Sequence, residues 1–153
     1  MPEAEIKLDN LSKCLEEAYL LYFNTRKDIK LNLIKPENDI YFHFDTLQIS
    51  RCFNNLIKNA IEAVEKIPNP AVEVLMTTDA KNIKIEIKDN GVGIDEKMLS
   101  KIFEPYFTTK TKGTGLGLSI VKRIIEDHGG KIKIEKNKNM AGTTSLINFD
   151  YNV

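Results

Sequence analysis

The sequence predicts an α+β domain of two layers, with three main helices on one face of a mainly antiparallel sheet. Three observations lead there. Ile49, Phe53, Leu56, Ile57, Ala60, Ile61 and Val64 recur at helical spacing. Ile83-Lys84-Ile85-Glu86-Ile87-Lys88 alternates with a period of two, as a strand with one wet face does. No internal repeat or linker divides the 153 residues, which suit one domain.

The elements follow in order. Leu11, Leu15, Ala18, Tyr19 and Tyr22 predict a first helix between Asn10 and Asn24. Ile29 to Ile34 and Tyr41 to Phe44 read as short strands, separated by the turn residues Pro36-Glu37-Asn38-Asp39. Asp45 followed by Gln48 is a capping-box-like start for the second helix, which Pro68-Asn69-Pro70 stops. Val72, Val74 and Met76, then Ile83 to Lys88, form a hairpin that ends at Asp89-Asn90-Gly91. From Phe103 to Gly117 periodicity vanishes, and irregular segments of that length inside domains are usually functional or disordered. Leu118, Val121, Ile124 and Ile125 predict the third helix, capped by Gly129-Gly130. Lys131 to Glu135 and Thr144 to Tyr151 close the chain as strands.

Composition excludes several classes. The 22 Lys+Arg balance 22 Asp+Glu, so the basic surface of a nucleic-acid binder is missing. The apolar stretch Ala18 to Phe23 is far short of the ~20 residues that span a bilayer, and Met1-Pro2-Glu3 is no secretory leader. A cytoplasmic, monomeric domain without membrane contact is expected. Cys14 and Cys52 fall on helical apolar stripes and read as small core residues. His43 reads as partly buried structure and His128 as a helix cap, and no nucleophile constellation stands out.

Three segments carry chemistry. Asn55 and Asn59, at i and i+4, project side by side from the polar face of the second helix, flanked by Lys58. That pattern is equally a solvated face, but amide oxygens also suit a hard cation such as Mg²⁺. Asp89-Asn90-Gly91-Val92-Gly93-Ile94 is an ordinary strand-end turn taken singly. A carboxylate there could also accept from adenine's exocyclic amine, with Gly91 and Gly93 letting backbone approach a flat ring. Gly113-Thr114-Gly115-Leu116-Gly117-Leu118 leads into the third helix, where backbone N–H groups and the helix dipole make an anion site, with Lys110 and Lys112 nearby. A flexible linker is the alternative. The spacing fits neither a P-loop nor a dinucleotide fingerprint.

Taken together these segments resemble the sensor histidine kinase catalytic domain: Asn55 to Ala60 its N box, Asp89 to Ile94 its G1 box, Phe103 to Lys110 its F box, Gly113 to Leu118 its G2 box, and Gly142-Thr143-Thr144 its terminal Gly-Thr element. The match runs from about Asp45 to Phe149. The resemblance implies the Bergerat fold shared with gyrase, Hsp90 and MutL, a sandwich of one mixed sheet and three helices. It also implies roles. Asn59 would hold Mg²⁺ between the ATP phosphates with Asn55 beside it, and Asp89 would read adenine N6 with Thr143 in support. Gly91, Gly93, Ile94 and Tyr106 would line the nucleotide pocket. Residues 103–117 would be an ATP lid in which Gly113, Thr114, Gly115, Leu116, Gly117 and Leu118 close over the nucleotide. Asn55, Lys58 and Lys110 would stand nearest the reacting phosphate.

In gyrase, Hsp90, MutL and the anti-sigma-factor serine kinases, the position four before the Mg²⁺ ligand is typically a Glu general base. Here it is Asn55, whose amide takes no proton at neutral pH, so the acceptor must bring its own base. No acceptor segment accompanies it, since neither His43-Phe44-Asp45 nor His128-Gly129-Gly130 fits that pattern. The implied function is to bind Mg-ATP and give the γ-phosphoryl group to a His on a separate dimerisation domain, for passage to a response regulator. On this reading the 153 residues are a single ATP-binding domain, cytoplasmic itself or as part of a membrane-bound sensor, that does not phosphorylate itself. The alternatives are a serine kinase of the anti-sigma-factor type and a non-catalytic ATP-binding switch.

Overall fold

In the computed structural model, which describes residues 3–107 and 117–151, helix α1 (Leu11–Phe23) begins where the Asn10 side chain accepts a hydrogen bond from the Lys13 N–H. It buries Leu11, Cys14, Leu15, Ala18 and Tyr19, the stripe its sequence predicts. Tyr19 Oη donates to the Leu31 carbonyl at 3.0 Å, fastening α1 to strand β2 (Lys30–Ile34). Helix α2 (Thr46–Val64) is capped by Asp45, whose Oδ1 accepts from the Gln48 N–H at 3.0 Å. Its buried face, Ile49 through Val64, is central to the core, where truncating one Ile to Ala costs about 2–5 kcal/mol.

Strands β4 (Ala71–Thr78) and β5 (Asn82–Asp89) form the predicted hairpin. With β6 (Lys131–Lys136) and β7 (Thr143–Asp150) they make a five-stranded sheet of order β2-β4-β5-β7-β6. Only the β2–β4 pairing is parallel, so the sheet is mixed and mainly antiparallel. Val72, Val74, Met76, Ile83, Ile85, Ile87, Ile147 and Phe149 point into the core against the helices, while the alternate Lys and Glu positions face outward.

The structure corrects the sequence reading in four places. The predicted strands at 29–34 and 41–44 belong to different sheets, because β3 (Tyr41–Phe44) pairs antiparallel with β1 (Lys7–Asn10) instead of joining the main sheet. Strand β1, Lys-Leu-Asp-Asn, has no apolar alternation to announce it. A fourth, short helix α3 (Glu96–Leu99) begins at Asp95, whose carboxylate accepts from the Lys97 N–H. His43 is exposed, because the pleat turns Phe42 and Phe44 inward and His43 outward.

Helix α4 (Gly117–Asp127) starts at Gly117, so that glycine is helical and does not belong to the irregular segment. Its far end closes as predicted: Gly129 takes φ 74° and the Gly130 N–H donates to the Ile125 carbonyl at 2.9 Å. His128 does more than cap. Its Nδ1–H donates to the Ile124 carbonyl at 2.7 Å and its Nε2 accepts from the Asp45 N–H at 3.0 Å, joining the end of α4 to the start of α2.

Candidate functional site: an ATPase-family nucleotide site

Two groups of side chains meet at one end of the sandwich. On α2, Asn59 Nδ2 donates to Asn55 Oδ1 at 3.1 Å, as their i, i+4 spacing allows. A hard cation is bound by an amide through its oxygen, so Oδ1 is the Asn59 atom such an ion would use. Gly117, the first residue of α4, lies so close that a Cβ there would stand 2.7 Å from Asn55 Nδ2. The start of α4, whose N–H groups and dipole favour an anion, therefore abuts the Asn55–Asn59 pair. Lys58 is exposed on the same helix, and with Tyr22, Leu47, Ser50, Arg51, Asn54 and Asn55 it lines an open cleft of about 600 Å³.

The second group surrounds Asp89, which ends β5 and is only 6% exposed. Its Oδ1 accepts from the Gly91 N–H at 2.9 Å and from the Thr143 N–H at 3.3 Å. Oδ2 takes none of the hydrogen bonds among the described residues, so it is the oxygen an incoming amine can reach. Burial pushes the Asp89 carboxyl above the usual carboxylate range, and the two N–H groups pull it partly back. Gly93 takes φ 77°, which turns the chain beside the half-buried Ile94.

Gly91 has a different physical reason from the flat-ring approach its sequence suggests. A Cβ there would lie 2.4 Å from the Ala63 carbonyl oxygen, so Gly91 lets the strand end pack against α2, one helical turn beyond Asn59. This contact joins the two groups into one site. Tyr106 is 75% exposed in a left-handed backbone at φ 67°, and Lys122 of α4 stands over the Phe103 ring at 5.5 Å from its centre. Leu118 packs against the core. Lys110, Gly113, Thr114, Gly115 and Leu116, expected in the lid, lie outside the described residues.

Sequence reasoning missed Asn90 and Asn137. Asn90 Oδ1 accepts from the Ala71 N–H at 2.9 Å and its Nδ2 donates to the Asn69 carbonyl, bracing the end of β5 against the turn before β4. Asn137 Nδ2 donates to the Asp89 carbonyl at 2.7 Å, across 48 positions of sequence. The run Asn137-Lys138-Asn139 carries a turn signal, but nothing in it names the distant partner.

The match of residues 44–152 to the model of the "Histidine kinase-, DNA gyrase B-, and HSP90-like ATPase" family decides what this site is. The chain belongs to this family. ATP binding is what membership of this ATPase family implies. Sporulation kinase A of Bacillus subtilis is 41% identical over 143 residues, which are 92% of this chain and 23% of that protein. The sensor protein FixL of Bradyrhizobium diazoefficiens is 34% identical over 145 residues, 92% of this chain and 28% of that protein. The chain thus spans about a quarter of the length of these relatives. The nucleotide-free catalytic domain of histidine kinase ThkA superposes with a TM-score of 0.85 at 33% identity, covering 96% of each chain. ThkA in complex with the response regulator protein TrrA matches with a TM-score of 0.82 at 28% identity, covering 97% of this chain and 42% of that one. The α+β fold expected from the sequence is thus the fold of this ATPase family in its histidine kinase form.

Mg²⁺ fits the donor chemistry at Asn59. Among the described residues no three His, Cys, Asp or Glu converge on a metal site, so a cation at Asn59 would take one amide oxygen and draw its other ligands from phosphate and water. Mg²⁺ tolerates that arrangement well, since it keeps several waters.

Proposed function

We propose that this chain is the catalytic, ATP-binding domain of a sensor histidine kinase, acting on a His carried by a separate dimerisation domain. The observation that carries this reading is the Asn59–Asn55 pair at the start of α4, set across Gly91 from a buried Asp89. Asp89 Oδ2 accepts from the adenine amine and Thr143 steadies the carboxylate through Oδ1. Gly91, Gly93 and Ile94 shape the base pocket, with Tyr106 at its edge. Asn59 contributes its oxygen to Mg²⁺, and Asn55 orients Asn59. Lys58 and Lys110 add positive charge beside the phosphates, and the segment before α4 serves as the lid. ATP supplies the phosphoryl group; the protein supplies position and charge, which is most of what such a transfer needs.

The chain's own His residues support an acceptor elsewhere. His128 is buried with both ring nitrogens engaged, and the exposed His43 is followed by Phe44 and not by an acidic residue, so neither carries the acceptor pattern. Asn55 in place of a general base means that the acceptor's own carboxylate takes the proton. By likeness to ThkA with its regulator, the phosphoryl group then passes to a response regulator. Among the described residues no helix is long and apolar enough to cross a membrane, and we place the reaction in the cytoplasm.

The test mixes the chain with Mg-ATP, with and without a histidine-bearing dimerisation domain, and follows acid-labile phosphate. Label on the acceptor and none on the chain alone is the expected result. Self-labelling at a His overturns the proposal, and nucleotide binding without transfer to any of several acceptors replaces it with the switch module.

A further inference from the structure

The turn joining β6 to β7 grips Asp89 from two directions. Asn137 Nδ2 donates to the Asp89 carbonyl at 2.7 Å and to the Ala141 carbonyl at 3.0 Å. Its Oδ1 accepts from Thr144 Oγ1 at 2.6 Å, and its N–H donates to the Gly142 carbonyl at 3.0 Å. One side chain therefore ties both legs of the turn to the main chain of Asp89. Gly142, at φ 104°, presses so near that a Cβ would fall 2.0 Å from the Asp89 carbonyl oxygen. The next residue, Thr143, donates the N–H that holds the Asp89 carboxylate, at 3.3 Å. A hydrogen bond of that length is near the limit of useful geometry, so a few tenths of an ångström of drift remove it.

We propose that Asn137 is a positioning residue for purine recognition. By locking the Asp89 backbone to the turn that carries the Thr143 N–H, it fixes which way Oδ2 faces and thereby sets selectivity for a 6-amino purine. This rests on the reading of Asp89 as the adenine acceptor. Without Asn137 the turn keeps its glycine and its strands, but the Asp89 carbonyl loses its side-chain donor and the carboxylate swings free of Thr143.

The test measures affinity for ADP against IDP, whose purine carries oxygen in place of the 6-amino group, alongside the unfolding midpoint. Asn137→Ala lowers the ADP preference by about fivefold, the worth of one misplaced hydrogen bond, and Asn137→Asp does the same because it removes the donor. Thr144→Val, which keeps the strand and removes only the hydroxyl on Asn137, lowers it about twofold and decides the matter if the Asn137 variants do not fold. A purely structural Asn137 would lower the midpoint and leave the ratio alone; an unchanged ratio in the folded variants overturns the proposal. Asp89→Asn is the control. If it too keeps the wild-type ratio, the adenine reading itself falls and this proposal with it; if it loses the ratio while the others keep it, only the role of Asn137 is refuted.

Discussion

Asp89 and Asn59, which we propose read the base and hold the cation of one nucleotide, are held in opposite ways. Asp89 is buried, and its donors come from Gly91, from Thr143 54 positions away and from Asn137 48 positions away. Asn59 is half-buried and held by Asn55, four positions away on the same helix. Two backbone donors on the carboxylate and one side-chain donor on the carbonyl, drawn from three parts of the sheet end, fix Asp89 within narrow limits, as discrimination of a base requires. An amide on a helix face can adjust by a rotamer, as a cation with an incomplete ligand set requires. Rigidity is placed where identity is read, and latitude where charge is carried.

The largest effect should follow from breaking the rigid half at its backbone. Gly142→Ala places a Cβ on the Asp89 carbonyl in a conformation that L-residues rarely adopt, and should cost at least about 2 kcal/mol of stability along with ADP binding, measured by chemical denaturation and calorimetry.

Asp89→Asn separates function from stability in the same half. It should weaken ADP binding by about tenfold or more. The unfolding midpoint at pH 7 should hold or rise, because an Asn oxygen can still accept from Gly91 and Thr143 while the buried charge is gone. The pH dependence carries the sign. A carboxyl raised above its unfolded value binds its proton more tightly in the folded state, so the wild-type nucleotide-free domain loses stability as pH rises from the unfolded value of about 3.9 through the folded one. The variant should lack that component, and an identical pH profile for both proteins would contradict the burial argument.

The smallest effect belongs to the helix half. Asn59→Ala should change stability by less than about 0.5 kcal/mol, since the loss of one half-buried amide hydrogen bond is offset by a better helix former. It should nevertheless abolish the dependence of ATP binding on Mg²⁺ while ADP binding without metal persists, which titration with and without EDTA can read. A large stability loss would show that the helix half is as rigid as the sheet half and would remove the contrast.

The same contrast explains what the sequence made legible. Asn55 and Asn59 could be read because their partnership is a helical spacing, and the Asp45 cap because it lies three residues from its donor. Asp89, Gly91, Gly93 and Thr143 were found through motif order, which carries information that local spacing lacks. Asn137 was not found, because its role is a contact across two strand pairings that no local pattern encodes. Strand β1 escaped for a related reason: all four of its residues are exposed or half-exposed, so it has no apolar signature. Gly91 stands out by its place in the motif, but its packing reason, a helix carbonyl too close for any Cβ, is invisible to local pattern.

Two contacts at opposite ends of α4 fix how it lies on α2. Gly117 meets α2 at Asn55, and His128 meets it at Asp45, ten residues and about 15 Å back along the helix. Helix α4, with 11 residues, therefore lies antiparallel to α2 and is matched to it in length. A slide of α4 by one residue would part the imidazole from the Asp45 N–H at its far end. Asp45 Oδ2 in turn accepts from the Glu5 N–H at 2.7 Å, so the cap residue that meets the end of α4 also holds the segment leading into β1.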